Sequence, residues 1–317
     1  MIITVTLNAA IDRTLTVPNF RGGQRHRASQ GLSLAGGKGI IVARTLKRLG
    51  VPVVATGLAG GRTGERILEE LSNEAILNDF ARIEDESRTS TAVVDPTSGT
   101  HTEVYEWGPQ VRPEELETLR EKLHYLCRGA ELVVLSGSLP RAVDDGFYGE
   151  LIRDLNRRGL IVALDAEGEP LLPGIEAEPA LVSTTQAAAE AIVGQEFHDE
   201  QDFVLGIETI AGLGARSVLI TYDLGIFALV REEKRERCFQ VVPPELEIVS
   251  AVGAGDVVLG AFVASRIAED RPVEEALRNA AAAGWAAKLE LGAGQFDPRQ
   301  AARIAAEIQV VELPASG

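Results

Sequence analysis

A run of small residues that ends in an acid, Gly253-Ala254-Gly255-Asp256, stands directly before an apolar helical stretch that starts at Val257. At a helix N-terminus, accessible backbone N–H groups and the helix dipole attract an anion such as a transferring phosphoryl group. The carboxylate of Asp256 could accept a proton from an attacking hydroxyl. An ordinary glycine-rich turn in which Asp256 only caps the helix explains the same residues, so both interpretations stay open.

A second glycine-rich turn, Gly36-Gly37-Lys38-Gly39, precedes a predicted helix over residues 38–49. Glycines there would let a ligand approach the backbone closely, although a tight strand-to-helix turn would use the same residues. The spacing is not that of a P-loop. Asn8 and Asp12 follow the first predicted strand, where open α/β sheets bind ligands, but Asp12 could also be a cap or turn residue.

Short apolar strands and helical patterns alternate along most of the chain, which predicts a mostly parallel sheet covered by helices on both faces. The predicted strands are residues 2–7, 53–57, 131–136, 160–165, 180–183 and 216–222. The predicted helices are residues 38–49, 64–73, 113–127, 144–158, 202–213, 256–267 and 273–289. After Val230 the pattern becomes antiparallel-like.

Two segments interrupt the alternation: residues 25–34, and a hairpin-like pair over 89–95 and 101–107 joined by a turn-rich connection. We expect a small second sheet, from lid segments at about 13–35 and 87–108, above the strand ends. A chain of 317 residues fits one domain, 1–317, with such a lid. Asp12, Gly37, Arg88 and Asp256 should then line one cleft.

The overall charge argues against polyanionic partners. The chain has 31 Lys and Arg against 47 Asp and Glu, a formal net charge of −16, and no block of consecutive basic residues. We therefore expect no nucleic-acid partner and no membrane association. An anionic substrate would need a locally positive charge at its binding site, which basic residues such as Arg27, Lys38 and Arg88 could supply.

Cys127 and Cys238 are the only cysteines, and no Cys/His cluster has metal-ligand spacing. We expect two free thiols in a reducing cytoplasm and assign no residue as a metal ligand. Residues 1–7 lack a basic region and reach Asn8 after too few apolar residues for a signal peptide or a membrane span. They are predicted to form a first buried strand.

The sequence resembles the ribokinase-like PfkB sugar kinases, and within them the 1-phosphofructokinase and tagatose-6-phosphate kinase branch, from Met1 to about Gln295. The resemblance rests on five motifs in the family's order: Thr6-Leu7-Asn8-Ala9-Ala10-Ile11-Asp12, Gly36-Gly37-Lys38-Gly39-Ile40, Gly60-Gly61-Arg62-Thr63-Gly64, Leu135-Ser136-Gly137-Ser138-Leu139-Pro140 and Val252-Gly253-Ala254-Gly255-Asp256. It implies a three-layer α/β/α sandwich with a β lid, a homodimer through the lid, and ATP- and Mg²⁺-dependent phosphorylation of a phosphorylated ketohexose.

The resemblance also implies roles for individual residues, carried over by position. Asp256 would be the catalytic base, with an anion hole at Gly253, Ala254 and Gly255. The sugar phosphate would be bound by Asp12, Gly36, Gly37, Lys38, Gly39, Arg88, Ser138 and Arg27. Among these, Arg88, Arg27 and Lys38 would grip its phosphate, since guanidinium binds phosphate bidentately; Arg27 could equally be a solvated surface charge. Residues assigned to the nucleotide are Thr185, Thr221, Asp223 and Gly225.

The departures from the family pattern concentrate where the nucleotide would bind. Thr185 and Ala188 replace the Asn and Glu that organise magnesium and phosphates. Asp223 and Ile226 replace glycines that normally admit ATP, and added negative charge is unfavourable near a polyphosphate. In the sugar half, Ile41 replaces an Asn that could bond a sugar hydroxyl. We therefore predict weaker nucleotide binding than sugar-phosphate binding.

Two function classes follow. The first is a sugar-phosphate kinase that transfers a phosphoryl group from ATP to a ketohexose phosphate, with Asp256 as base. The second is a non-catalytic relative that binds a sugar phosphate, or regulates through it, after losing competent ATP binding. A nucleoside kinase of the same fold is less favoured, because Arg88 and the Leu-Ser-Gly-Ser-Leu-Pro segment suit a phosphorylated ligand.

Overall fold

A computed structural model of the chain describes residues 1–223, 225–232 and 235–314. In chain order the strands are β1 (Ile2–Thr6), β2 (Ala10–Thr16), β3 (Gln30–Gly36), β4 (Val53–Gly60), β5 (Leu77–Asn78), β6 (Ala81–Ile83), β7 (Arg88–Asp95), β8 (Thr100–Tyr105), β9 (Leu132–Ser136), β10 (Ile161–Asp165), β11 (Leu181–Thr185), β12 (Val218–Tyr222), β13 (Gly225–Glu232), β14 (Arg235–Val242) and β15 (Gln309–Leu313). The helices are α1 (Lys38–Arg48), α2 (Gly61–Asn73), α3 (Pro113–Leu126), α4 (Phe147–Arg157), α5 (Leu171–Ile175), α6 (Gln186–Val193), α7 (Glu200–Gly212), α8 (Ala254–Phe262), α9 (Val273–Lys288) and α10 (Pro298–Ala305). A 3₁₀ turn at Cys127–Gly129 follows α3, and a π-helical turn at Val263–Ala268 continues α8.

The large sheet has the strand order β15-β14-β13-β12-β11-β10-β9-β1-β4-β5, and β6 also pairs with β4. The six predicted strands are neighbours in it and run parallel, as expected. The antiparallel part begins with β13 at Gly225, a few residues before the predicted position. Every residue of β1, β4 and β9 is buried, which requires cover on both faces.

Two hydrophobic clusters provide that cover, so the predicted α/β/α sandwich is confirmed. One cluster packs α1, α2, α8, α9 and α10 against the sheet, and the other packs α3 to α7 against the opposite face. Cys127 and Cys238 are buried free thiols. In the part of the chain that the structure describes, no helix is both long and apolar enough to cross a membrane.

The second sheet is the predicted lid, with strand order β3-β2-β7-β8. β2 pairs antiparallel with β3 and parallel with β7, which places Asp12 opposite Leu34 and Ser90. Asp12 therefore belongs to a lid strand and is neither a cap nor a turn residue, because β2 is paired along both of its sides. The segment predicted at 25–34 forms a strand at Gln30–Gly36, a few residues later than predicted. Its partner strand β2 spans Ala10–Thr16.

Asp95 ties the lid hairpin to the preceding loop. Its two carboxylate oxygens accept hydrogen bonds from the backbone N–H groups of Asn19, Phe20 and Thr97 and from the hydroxyl of Ser98. The side chain is 3 % exposed. Because four donors converge on one buried carboxylate, this residue holds the 96–99 turn and the 19–20 segment in one arrangement.

Candidate active site

A cleft of about 1130 Å³ lies between the lid and the carboxyl ends of the parallel strands. This volume exceeds the roughly 300–1,000 Å³ of an ordinary small-molecule pocket, so the cleft has room for two ligands. Most of the residues that the sequence assigns to a site line it, as the sequence predicts, and these are Asp12, Gly37, Lys38, Arg88, Ser138, Thr185, Thr221, Asp223, Gly253, Ala254, Gly255 and Asp256.

The Gly253–Asp256 turn forms the start of helix α8. Gly253 is its N-cap and has a φ of 74°, a left-handed conformation that favours glycine. The N–H of Ala254 donates to the carbonyl of Ala251 at 3.2 Å. That donor is engaged, so of the three donors predicted for an anion hole only the N–H groups of Gly253 and Gly255 have no acceptor among the described residues.

Asp256 lies in the first turn of α8 and is 4 % exposed. Its Oδ1 is buried at the cleft and has no hydrogen-bond partner among the described residues. A buried carboxylate oxygen without a donor is costly, and such atoms are concentrated where a ligand completes the site. The position agrees with a base that receives a proton from a bound hydroxyl.

Lys38, at the start of α1, points its ammonium at three acidic side chains. Nζ lies 2.9 Å from Oε1 of Glu167, 3.3 Å from Oδ1 of Asp165 and 3.7 Å from Oδ1 of Asp256. The sequence assigns Lys38 to the substrate's hydroxyls and phosphate. In the structure its ammonium is instead engaged by carboxylates at and just beyond the end of β10 and in the first turn of α8, because the fold brings these segments together.

The carboxyl groups of this cluster are unusually basic. Burial raises the pKa of Asp256 well above its usual range, and Asp165 raises it further, while Lys38 offsets part of the rise. Burial also raises the pKa of Asp165, again with a partial offset from Lys38. For Lys38, burial acts against the charged form, but the three carboxylates together raise its pKa well above the usual range. A carboxylate with a raised pKa is a stronger proton acceptor.

On the side of the cleft predicted to bind the sugar, Asp12 lies directly above the first glycine-rich turn. A Cβ on Gly36 would come within 2.0 Å of Oδ2 of Asp12, so only glycine leaves room for this carboxylate. Burial raises the pKa of Asp12, and the nearby guanidinium of Arg88 offsets part of that rise. Arg88 donates to Ser90 Oγ at 3.0 Å and lies 5.6 Å from the centre of the Tyr105 ring.

Asn8 is a further polar group on the side of the cleft predicted to bind the sugar. Its Nδ2 donates to Oγ of Ser138 at 3.0 Å, which joins the end of β1 to the turn after β9. Its Oδ1 is buried at the cleft without a hydrogen-bond partner among the described residues. Asn8 can therefore accept a hydrogen bond from a ligand hydroxyl.

Polar groups on the predicted nucleotide side already form hydrogen bonds within the protein. Thr185 is the N-cap of α6, and its hydroxyl accepts from the N–H of Ala188 at 3.3 Å. Glu190, one turn on, accepts at Oε1 from Gln186 Nε2 and from the N–H of Phe197, both at 2.8 Å. These contacts lower the pKa of Glu190. The Thr221 hydroxyl donates to the carbonyl of Thr184 at 3.3 Å.

Asp223 lies near a cation that the sequence did not indicate. Burial lowers the pKa of Lys288, and the nearby charge of Asp223 offsets part of that fall. The ammonium of Lys288 lies 3.7 Å from the centre of the Trp285 ring, and all three side chains line the cleft. The negative charge predicted to repel a polyphosphate is therefore partly balanced by Lys288.

Several of the residues discussed above do not line the cleft. Gly36 and Gly39 pack beneath it, against Asp12 and Thr6. Arg27 is exposed on the loop before β3, away from the cleft walls of this chain. Gly225 and Ile226 lie in β13, and Ile226 is fully buried. The prediction that Ile226 obstructs the nucleotide is wrong, because its side chain lies in the core. Leu224, in the same predicted loop, lies outside the described residues.

The sequence as a whole agrees with this geometry. A model of the pfkB family of carbohydrate kinases matches residues 3–299. This chain belongs to that family. A tagatose-6-phosphate kinase from Staphylococcus epidermidis is 28 % identical over 330 residues, covering 99 % of this chain and 100 % of that protein.

Solved structures of related kinases superpose on nearly the whole chain. Phosphofructokinase-2 from Escherichia coli, in complex with substrates and products, superposes with a TM-score of 0.88 at 29 % identity, covering 96 % of this chain and 98 % of that chain. A possible 1-phosphofructokinase from Thermotoga maritima superposes with a TM-score of 0.90 at 26 % identity, covering 99 % and 100 %.

Three cleft residues of this pfkB kinase domain, Glu167, Trp285 and Lys288, were not identified from the sequence, and neither was Asp165, which contacts Lys38. Asp165 had a signal, because it ends the predicted strand 160–165 and strand ends face the cleft. Glu167 follows it by two residues. Trp285 and Lys288 lie within a predicted helix, and no motif distinguishes them from residues that pack or face solvent.

Proposed function

We propose that this pfkB family member is an ATP-dependent kinase of a ketohexose phosphate, of the 1-phosphofructokinase or tagatose-6-phosphate kinase type. The observation that carries the proposal is the position of Asp256. Its Oδ1 is buried at the same cleft as Arg88 and the glycine turn of α8, 3.7 Å from the Lys38 ammonium and without a hydrogen-bond partner among the described residues. The relatives named tagatose-6-phosphate kinase and phosphofructokinase support this substrate class.

The proposed reaction uses Asp256 as the general base. A hydroxyl of the bound sugar phosphate loses its proton to the Asp256 carboxylate while its oxygen forms a bond to the γ-phosphorus of ATP. The bond from that phosphorus to the β–γ bridging oxygen breaks, and ADP leaves. The raised pKa of Asp256 suits this role, because a more basic carboxylate accepts the proton more readily.

The charge that develops on the transferring phosphoryl group would be met by the start of α8. The N–H groups of Gly253 and Gly255 and the helix dipole lie at the cleft next to Asp256. Mg²⁺, when bound with ATP, neutralises phosphate charge. Carboxylate oxygens of the kind this ion prefers are present in Glu167, which lines the cleft, and in Asp165 at the end of β10.

Arg88 would bind the phosphate that the sugar already carries. Its guanidinium is half-buried at the base of the lid, and two of its nitrogens already donate to Ser90 and to the carbonyl of Asn8. These bonds and the Tyr105 ring hold the group in one orientation, which suits recognition of a phosphate. Asp12 and Asn8 would then orient sugar hydroxyls.

A second candidate is a sugar-phosphate-binding or regulatory protein without kinase activity. It is favoured by the nucleotide side, where the Thr185 hydroxyl is used as a helix cap and position 188 has no carboxylate. ADP release, measured by a coupled assay across a panel of ketohexose phosphates with Mg²⁺ and ATP, separates the two. We expect turnover with one or more phosphorylated ketohexoses; binding without ADP release across the panel would favour the second candidate.

We also propose that two copies associate through their lids. Val104 and Tyr105 are each 61 % exposed and Trp107 is 87 % exposed, so the end of β8 and the segment just after it present large apolar side chains to solvent. Exposed apolar patches of this kind mark interaction surfaces. Sedimentation velocity should show a dimer that Trp107→Asp weakens. Cytoplasmic location stays a prediction from the sequence.

A further inference from the structure

Lys288, the last residue of α9, is a half-buried cation on the wall of the cleft. Its ammonium lies over the ring of Trp285, 3.7 Å from the ring centre, and Trp285 is itself buried. In the part of the chain that the structure describes, this ammonium has neither a hydrogen bond nor an ion pair. Because a half-buried charge without an acceptor is unfavourable, this position favours an anionic group supplied by a ligand.

Contacts of α9 place Lys288 beside the start of α8. The carbonyl of Lys288 accepts hydrogen bonds from the N–H groups of Val249 at 2.8 Å and Ser250 at 3.0 Å, which ties the end of α9 to the segment before the glycine turn. One turn earlier, a Cβ on Gly284 would lie 2.4 Å from Cγ2 of Val258, so α9 packs closely on α8. Lys288 therefore lies at the end of the cleft where α8 begins.

A second electropositive feature lies at the same end of the cleft. The N–H groups of Gly253 and Gly255 have no acceptor among the described residues, and the dipole of α8 adds positive potential there. A Cβ on Gly255 would lie 3.8 Å from Oγ1 of Thr221, so the end of β12 borders this turn. Asp223, two residues further on, is the one acid among the described residues whose charge acts on Lys288, and its exposed side chain is screened by solvent.

We propose that Lys288 binds a phosphate group of the nucleotide, in place of the contacts that Thr185 and Ala188 do not supply. The inference rests on the proposed kinase function. An ammonium on a flexible stem binds phosphate as a point charge, which suits a group without a fixed hydrogen-bond partner. The ring of Trp285 restricts the positions of this ammonium, so less conformational freedom is lost when the phosphate binds.

Lys288→Met tests the contact, because it removes the charge and keeps a flexible apolar stem. ATP binding with Mg²⁺ is measured by calorimetry for the full-length wild type, Lys288→Met and Lys47→Met. Lys47 is exposed in the last turn of α1 and lies outside the cleft, so its variant is the matched control for a charge lost at a helix C-terminus. We expect ATP to bind at least about tenfold more weakly to Lys288→Met and as tightly as the wild type to Lys47→Met.

A double variant, Asp223→Asn with Lys288→Met, separates a phosphate contact from mere neutralisation of Asp223. A direct contact predicts that ATP binds the double variant at least about fivefold more weakly than Asp223→Asn alone. Equal ATP affinity of these two proteins would mean that Lys288 only balances Asp223, and would overturn the proposal.

Inorganic tripolyphosphate, which carries no base or sugar, tests which part of the nucleotide is bound. Its competition constant against ATP should rise in Lys288→Met by about the same factor as the dissociation constant of ATP. Tripolyphosphate that does not compete on the wild type, or competes equally on both proteins, would overturn the phosphate contact and leave the kinase proposal standing. Failure of the wild type to bind ATP would overturn both. Sugar-phosphate binding by calorimetry should be the same in all of these proteins and verifies that the substitutions leave the fold intact.

Discussion

The ammonium of Lys38 lies 3.7 Å from Oδ1 of Asp256, so the first residue of α1 and a first-turn residue of α8 meet across the cleft. Each helix begins at a glycine-rich turn, and each turn lines the same cleft. The turn proposed to bind the sugar and the turn proposed to serve phosphoryl transfer are therefore joined by a direct electrostatic contact. Substitutions at either turn should consequently affect distinct steps that can be measured separately.

Asp256→Asn tests the proposed base. Because the amide cannot accept the proton, we expect kcat for the preferred ketohexose phosphate to fall about 10²- to 10⁴-fold. Sugar-phosphate affinity by calorimetry should be nearly unchanged. Asp297→Asn, at the N-cap of α10, is the control for a helix-capping role. A kcat for Asp256→Asn equal to that of the control would mean that Asp256 is only structural.

Arg88→Ala tests the proposed phosphate contact. Loss of a charge-assisted bond costs about 1.5–3 kcal/mol, so the dissociation constant of the phosphorylated sugar should rise about ten- to a hundred-fold. The unphosphorylated sugar should bind as before. Arg82→Ala removes an exposed arginine outside the cleft and serves as control. Equal losses for both sugars would exclude a phosphate-specific role.

Gly36→Ala tests whether the position of Asp12 depends on the glycine beneath it. A methyl group at residue 36 collides with the Asp12 carboxylate, so we expect sugar-phosphate binding to weaken at least about tenfold, with modest destabilisation from overpacking. Gly22→Ala adds the same methyl group to the lid where nothing lies within 4 Å. Calorimetry and thermal unfolding of both variants separate binding from stability; wild-type affinity in Gly36→Ala would contradict the prediction.

Thr185→Asn combined with Ala188→Glu tests the prediction that the residues at positions 185 and 188 weaken nucleotide binding. Restoring an amide and a carboxylate should strengthen ATP binding with Mg²⁺ about tenfold by calorimetry and leave the sugar-phosphate constant unmoved. Ile226 and Asp223 are left unchanged, since Ile226 is buried in the core and Asp223 lies near Lys288. Low-micromolar ATP binding by the wild type, the tight end of a common range of about 1 µM–1 mM, would count against a degraded site.

Asp95→Asn tests the anchor of the lid through its pH dependence. The hydrogen bonds that Asp95 accepts lower its pKa from 3.8 to about 2, against the opposing effect of burial. Its contribution to stability is therefore complete above the unfolded value and is lost as the pH falls from 3.8 towards 2.

We expect the urea midpoint of Asp95→Asn to lie below that of the wild type at pH 7, and the difference to shrink as the pH is lowered through that window. Asp145→Asn, at an exposed position, should match the wild type throughout. A constant difference between the wild type and Asp95→Asn at every pH would show that the charge of Asp95 does not stabilise the lid.

Much of the architecture could be read from local patterns. The six strand predictions hold because each run is apolar enough to be buried on both faces wherever it lies in the sheet. The Gly253–Asp256 turn and the lid hairpin were likewise identified, since turn residues act over a few positions. Helix α6 was missed, because its Ala-rich segment has a weak periodic signal.

The chemistry of the cleft depends on contacts between distant segments, which local patterns do not encode. Lys38 looks like a free phosphate ligand until β10 and α8 bring Asp165, Glu167 and Asp256 around it. Asp12 becomes a lid residue because β2 pairs with β7, far away in the chain. Residue types and spacing thus indicated which groups gather at the strand ends, whereas long-range packing selected which charges face one another and which atoms remain without a partner.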